Sequence, residues 1–259
     1  ILFLLYINDL PDSISKGSKV KLFADDAILY RTIENFQDSI QLQDDLDKLI
    51  IWEQNWQMIF NPSKCHILRL TRSKAPIDTT YKIHGTTLER VNSATYLGIE
   101  ISDNLSWNKH VDKTTAKANS KLGFLRRNLK YTSPQTKTMA YQTLVRPNLE
   151  YSATVWDPYT ARNKEKIEKV QHRAARFVSN NYDWNVNGGN IANSLGWPTL
   201  ERRRQEARMV IFYKIVFNIV QIPITSYLDP VTVLTRSNHP YKFIQKHASA
   251  NYFLYSFFP

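Results

Sequence analysis

The stretch F-A-D-D-A-I-L-Y, residues 23–30, sets two carboxylates side by side between short apolar runs. Just before it, Val20 and Leu22 alternate with Lys19 and Lys21, the period of a half-exposed strand. After it, A-I-L-Y-R-T returns as a second strand, so Asp25 and Asp26 are expected to turn a hairpin. Tight hairpins favour Asn-Gly or Asp-Gly, which makes Asp-Asp a poor choice for turning alone. Adjacent carboxylates also repel unless a cation or donor offsets them. A divalent ion is one economical answer, because Mg²⁺ commonly takes one or two carboxylates and completes its shell with water and phosphate oxygens. A solvated acidic turn is the other reading, and for an isolated dipeptide it is the commoner one.

Working outward, residues 1–10 read as the end of a buried helix stopped by Pro11. Leu42, Leu46, Leu49, Trp56 and Phe60 recur at helical spacing, which predicts an amphipathic helix over 36–60 ended by Asn61-Pro62. Residues 65–70, 81–84 and 95–101 read as short strands. Up to residue 101 the plan is a small antiparallel sheet with helical cover, an α+β arrangement. Thereafter the chain reads as mainly helical. Val111, Thr115, Ala118, Leu122, Leu125 and Leu129 form one apolar seam, and Pro134 opens a second helix ending near Arg146-Pro147. A third helix covers 162–179 and a fourth about 198–220, separated by the loop N-V-N-G-G-N. Beyond Ile222 the chain is punctuated by proline and read as irregular.

In this context F-A-D-D resembles the F/Y-A-D-D catalytic box of reverse transcriptases, specifically those of non-LTR retrotransposons of the jockey and LINE type. L-F-L-L-Y-I-N-D-L-P (2–11) is similar to the family's segment before that box, N-P-S-K-C (61–65) to its next motif, and Y-L-G-I (96–99) to the primer-grip region. The resemblance implies a partial polymerase palm over 1–101, a basic helical thumb and connecting region over 102–222, and a tail over 223–259. It implies RNA-directed DNA synthesis: dNTPs are added to a primer 3′-hydroxyl by two-metal phosphoryl transfer, with Mg²⁺, or alternatively Mn²⁺, as the ion. By that resemblance Asp25 is the main metal-binding aspartate and Asp26 its neighbour. Phe23 lies beside the primer terminus, Lys64 protonates departing pyrophosphate, and Tyr96, Leu97 and Gly98 approach the primer. The family's other catalytic aspartate lies on an earlier strand, before Ile1. The chain is therefore expected to be an N-terminally truncated polymerase, normally preceded by an endonuclease domain. A complex with RNA, both cytoplasmic and nuclear, is the location the family implies.

The formal charge of +11 is unevenly spread. Residues 1–100 hold 11 Lys and Arg against 13 Asp and Glu, whereas 101–259 hold 23 against 10. Such an excess points to a polyanion partner. Lys109, Lys113, Lys117 and Lys121 fall four apart in one stripe, and Arg162, Lys166, Lys169, Arg173 and Arg176 make another. Both are expected to track the phosphates of template RNA and primer or target DNA, although solvated helix faces explain most such stripes in isolation. Arg202-Arg203-Arg204 reads as the first turns of an amphipathic helix, with a nuclear-import cluster as the alternative. The lone Cys65 excludes an internal disulfide and a cysteine-rich zinc knuckle, and the six histidines lack metal-ligand spacing. M-V-I-F-Y-K-I-V-F-N-I-V-Q-I is short for a membrane span and is broken by Lys214. The rival from another class is a non-catalytic nucleic-acid-binding remnant of such an element; a membrane-surface protein ranks far below both.

Overall fold

Residues 2–231, 241–244, 247 and 250–258 are described by the computed structural model, in which helices and short strands both occur, compatible with the α+β class. The chain falls into two units, Ile1–Ser106 and Trp107–Pro259.

The first unit contains α1 (Leu2–Ile7), a 3₁₀ turn (Leu10–Ser13), and the antiparallel hairpin β1 (Ser18–Phe23) and β2 (Asp26–Arg31). There follow the long helix α2 (Phe36–Trp56) and a 3₁₀ turn (Pro62–Lys64). Six short strands complete it: β3 (His66–Leu68), β4 (Lys82–Ile83), β5 (Thr86–Thr87), β6 (Glu89–Val91), β7 (Ser93–Tyr96) and β8 (Ile99–Ser102). β3 pairs parallel with β6, while β4–β5 and β7–β8 are antiparallel. The strands thus form separate pairs rather than one sheet.

Helix α2 is the spine of this unit. Its start is fixed by a capping box in which the Asn35 side chain accepts from Asp38 N–H and the Asp38 carboxylate accepts from Asn35 N–H. One flank carries Leu49 and Trp52 against Ile7, Leu10, Val20, Leu22, Met58 and Phe60. The other carries Leu42, Leu46 and Ile50 against Tyr81, Ile83 and Leu88. Gln43 closes the edge of β4 by accepting from Lys82 N–H and donating to Lys82 C=O. Trp52 is buried and donates its indole N–H to Asp9 at 2.8 Å. The helix stops at Trp56, four residues short of the predicted end, because Gln57 adopts a left-handed cap (φ 56°) and turns Phe60 back to stack on Trp52.

Asp45, on the first flank, is completely buried. It accepts from Ser15 N–H (2.9 Å), the Ser15 hydroxyl (2.8 Å), the Ser18 hydroxyl (2.5 Å) and Lys48 (3.2 Å). Ser18 opens β1 and pairs in register with Arg31, which ends β2. Arg31 in turn reaches Ser18 Oγ and Asp38. Two carboxylates of α2 therefore clamp both strands at the base of the hairpin.

The second unit contains α3 (Asn108–Asn128), α4 (Pro134–Ala140), a π turn (Tyr141–Val145), α5 (Arg146–Glu150) and α6 (Ala153–Trp156). It continues with α7 (Ala161–Ser179), α8 (Gly188–Ser194) and α9 (Leu200–Val216). The apolar seam of α3 is buried at Val111, Ala118, Leu122 and Leu125, as its spacing predicts, and the corresponding positions Ile167, Val170, Ala174 and Phe177 of α7 are buried too. Asn108–Asn163, Asp112–Lys166 and Asn119–Arg173 meet in rising order, so α3 and α7 run parallel.

Three boundaries differ from expectation. Helicity from Pro134 continues through Arg146-Pro147 to Glu150, because the π turn places the Arg146 N–H on Tyr141 C=O and widens the helix where Pro147 would otherwise collide. The N-G-G-N segment is not all loop: Gly188 and Gly189 open α8. Gly188 is required there, since a Cβ at that position would lie 2.6 Å from His172 Cβ. Within the tail, β9 (Asp229–Pro230) pairs with β10 (Phe243–Ile244), and a final turn, α10 (Asn251–Leu254), precedes Tyr255, which stacks on Tyr159 at 4.5 Å. Of the tail read as irregular, residues 232–240, 245–246, 248–249 and 259 lie outside the described residues, as do Ile1 and therefore His239 among the histidines.

Burial works against ionisation of Asp45, but the hydrogen bonds from Ser18 and Ser15 and the contact with Lys48 outweigh it and hold the carboxyl below its ordinary range. Asp38 is lowered by the backbone N–H groups of Glu34 and Asn35 and by Arg31. A carboxyl depressed in the folded state contributes stability above its unfolded pKa and loses it as pH falls through the folded value. Urea midpoints followed by far-ultraviolet circular dichroism are accordingly expected to fall for the first unit below about pH 4. Asp45→Asn is expected to flatten that acid limb.

Candidate functional site

The hairpin tip is built differently from the sequence reading by one residue. Phe23 pairs with Asp26, so the two turn residues are Ala24 and Asp25, and Asp26 already belongs to β2. This register sets Val20 opposite Leu29 and Leu22 opposite Ala27, on the face that packs towards Trp52; a one-residue slip would send these side chains to the wrong face. Ala24 adopts φ 52°, a left-handed conformation that ordinarily favours glycine. Phe23, Asp25 and Asp26 are all exposed.

The two neighbouring carboxylates at an exposed tip suit a hard divalent cation, which needs only one or two of them when phosphate oxygens and water supply the rest. Among the described residues there is no group of three or more His, Cys, Asp or Glu side chains that could hold a metal ion, so the pair provides only part of a ligand set.

Lys64 closes the 3₁₀ turn Pro62–Lys64, is exposed, and has no side-chain hydrogen bond or ion pair among the described residues. The turn itself is fixed by Asn61, whose side chain accepts from Ser63 N–H. Tyr96, Leu97, Gly98 and Ile99, read as part of one strand, instead form the end of the β7–β8 hairpin. Tyr96 pairs with Ile99, and Leu97 (φ 47°) and Gly98 (φ 79°) both take positive φ, the pattern of a type I′ turn. Gly98 is the turn residue the sequence needed there.

The two basic stripes have different environments. Lys109, Lys113, Lys117 and Lys121 are exposed on α3, and the sole carboxylate of that helix, Asp112, is engaged by Lys166 of α7. Lys117 and Lys121 have no partner among the described residues. In the α7 stripe, Lys166 pairs with Asp112 and Lys169 with Glu165. Arg173 donates to Asn119, and Arg176 donates to the carbonyls of Asp183 and Val186. Only Arg162 of that stripe is exposed without a partner among the described residues. Most of the second stripe therefore ties the helices and the following loop together, a use that charge spacing does not distinguish from solvation.

Arg202–Arg204 is likewise engaged within the fold. Arg202 pairs with Glu206, Arg203 with Glu150, and the fully buried Arg204 with Asp157. Three residues missed by sequence reasoning shape this unit's interior. Tyr141 donates to Gln171 at 2.9 Å and stacks on Trp197, while Gln171 donates to Pro198 C=O. Burial pushes the Tyr141 phenol far above its ordinary range. No helix among the described residues is long and apolar enough to cross a membrane.

Comparison with known proteins supports the resemblance drawn from the motifs. The chain is similar to a probable RNA-directed DNA polymerase from transposon X-element of Drosophila melanogaster, with 24% identity over 207 residues, 77% of this chain and 23% of that protein. It is 27% identical over 189 residues to a probable RNA-directed DNA polymerase from transposon BS of the same species, covering 70% of this chain and 20% of that protein. It is 22% identical over 188 residues to the RNA-directed DNA polymerase from mobile element jockey of Drosophila funebris, covering 69% and 20%. The chain thus spans about a fifth of the length of these curated relatives. No protein-family model matches it, and no solved structure does.

The left-handed Ala24 is a local cost at the tip. Ala24→Gly is expected to stabilise the first unit by about 0.5–1 kcal/mol, the left-handed penalty less the added chain entropy of glycine. Chemical denaturation of the two proteins measures the difference.

Proposed function

We propose that this chain is a segment of a non-LTR retrotransposon reverse transcriptase, carrying the catalytic carboxylate hairpin of the palm and the basic helical region that follows it. The observation that carries the reading is the exposed Asp25-Asp26 pair on a tight hairpin whose base is clamped to α2, in a chain similar to three RNA-directed DNA polymerases. Because the relatives carry the polymerase name, a non-catalytic remnant is not favoured.

In this reading Asp25 and Asp26 hold Mg²⁺ together with substrate phosphates. The bound ion supplies charge neutralisation at the reacting phosphates and activation of the primer hydroxyl. The remaining ligand of a two-ion centre comes from another part of the polymerase. Phe23 sits against the primer terminus and template RNA, and Lys64 delivers a proton to departing pyrophosphate. Tyr96–Gly98 contact the primer backbone at the tip of the second hairpin. The α3 lysines hold the primer–template duplex by its phosphates without reading sequence, with Arg162 as the freest contribution from α7.

The test is to exchange the matched segment of the X-element polymerase for this chain and to assay extension of a DNA primer on an RNA template with dNTPs and Mg²⁺. Extension is expected, and Asp25→Asn is expected to abolish it while duplex binding persists. Changing Lys113, Lys117 and Lys121 together to Gln is expected to reduce the salt slope of duplex binding by about 2.7, or 0.9 for each phosphate contact. Extension that survives Asp25→Asn would contradict the catalytic assignment.

A further inference from the structure

The parallel helices α3 and α7 end side by side at a cleft of about 570 Å³, large enough for a nucleotide unit rather than a bare phosphate. Arg126, Arg127, Lys130 and Lys137 line it, with Phe177 and Tyr182, and no carboxylate is among the lining residues. The negative ends of two helix dipoles would favour cations here. That explanation is incomplete, because among the described residues none of the four side chains hydrogen-bonds a helix-terminal carbonyl or pairs with an acid. This sets them apart from Lys166, Arg176, Arg203 and Arg204, whose charges are all engaged within the fold.

Lys137 is the decisive residue. It is only 5% exposed, its ammonium lies 5.0 Å from the centre of the Phe177 ring, and it has no anionic partner among the described residues. A cation is costly to bury unpaired, and the aromatic face offsets only part of that cost. The position is that of a charge awaiting an anion.

The rim of the cleft identifies the anion's carrier. Tyr182 has Arg126 over its ring at 5.7 Å yet keeps nearly half its surface exposed. Tyr131, beside Lys130, and Trp184, two residues beyond Tyr182, are over 90% exposed. Protruding aromatic faces interleaved with cations suit unpaired bases joined by phosphates, whereas a duplex keeps its base faces stacked inside. We propose that this cleft binds single-stranded nucleic acid, seating a phosphate on Lys137 and Arg127 with an adjoining base on Tyr182. The assignment stands on the cleft alone and does not depend on polymerase activity.

The test uses the full chain and fluorescence anisotropy with labelled oligo(dT), a duplex of equal length, inorganic phosphate, and phosphatidylserine vesicles as separate probes. Arg127→Gln with Lys130→Gln is expected to weaken oligo(dT) binding about tenfold or more and to lower its salt slope by about 1.4, the value for two single-strand phosphate contacts. Lys137→Met is expected to weaken it similarly. Gly123→Leu fills the cleft without removing charge, since a Cβ there meets only Arg127 Nη1, at 3.5 Å. It too is expected to weaken oligo(dT) binding while leaving duplex binding within twofold. Unchanged oligo(dT) affinity in Gly123→Leu and the double variant would overturn the proposal. So would equal losses for single strand and duplex, or vesicles or inorganic phosphate displacing oligo(dT) at lower phosphate concentration. Loss of duplex binding only in the Lys113, Lys117 and Lys121 variant would separate the α3 stripe from the cleft, whichever of the two assignments survives.

Discussion

The buried carboxylate of Asp45 gathers two serines and a lysine around itself, and through Ser18 it reaches the first residue of the strand that leads to Asp25. Arg31 and Asp38 secure the opposite strand from the same helix. An isolated two-stranded hairpin is at best marginal in water. This one is held at its base by polar contacts to α2 and along one face by Val20 and Leu22 against Trp52 and its neighbours. The polar base specifies register, and the apolar face supplies the burial. The tip is then left exposed, as a pair of carboxylates must be if it is to meet a phosphate-bearing substrate.

The helical unit shows a complementary division of charge. Asp157, Glu150 and Glu201 neutralise the arginines and lysine that face the interior or join helices. Removing one member of a buried pair leaves the other uncompensated, so these residues are constrained by folding before any partner is considered. The lysines at 117 and 121 and the four cations around the α3–α7 cleft have no such internal duty. Net charge alone, large as it is, does not separate these classes; the burial and partner of each side chain do.

Much of this organisation was legible in the sequence. Strand alternation around Asp25, the α3 seam, and the succession of motifs led to the hairpin, the helices and the resemblance that the comparisons support. What escaped was set by tertiary contacts. Asp45 lies in the run Q-D-D-L-D-K, where acid residues look solvent-facing, and nothing local reveals that Ser15 and Ser18 surround it. The turn of the first hairpin moved by one residue because cross-strand register, rather than Asp-Asp chemistry, fixed it. Leu97-Gly98 was read as strand interior, although a glycine preceded by one residue after a β-branched run is also a tight-turn signature. The α7 stripe had ideal spacing for a phosphate track, yet Asp112, Asn119 and the carbonyls of Asp183 and Val186 claim most of it.

The most direct measurement of the central claim, that α2 positions the carboxylate hairpin through Asp45, is native-state amide hydrogen exchange on the chain and on Asp45→Ala. Loss of about 3 kcal/mol of charge-assisted hydrogen bonding corresponds to roughly a hundredfold fall in protection. That fall is expected across β1 and β2, with protection in α3 and α7 unchanged. Equal protection of the hairpin amides in the two proteins would contradict the account, because the hairpin would then be held by its apolar face alone.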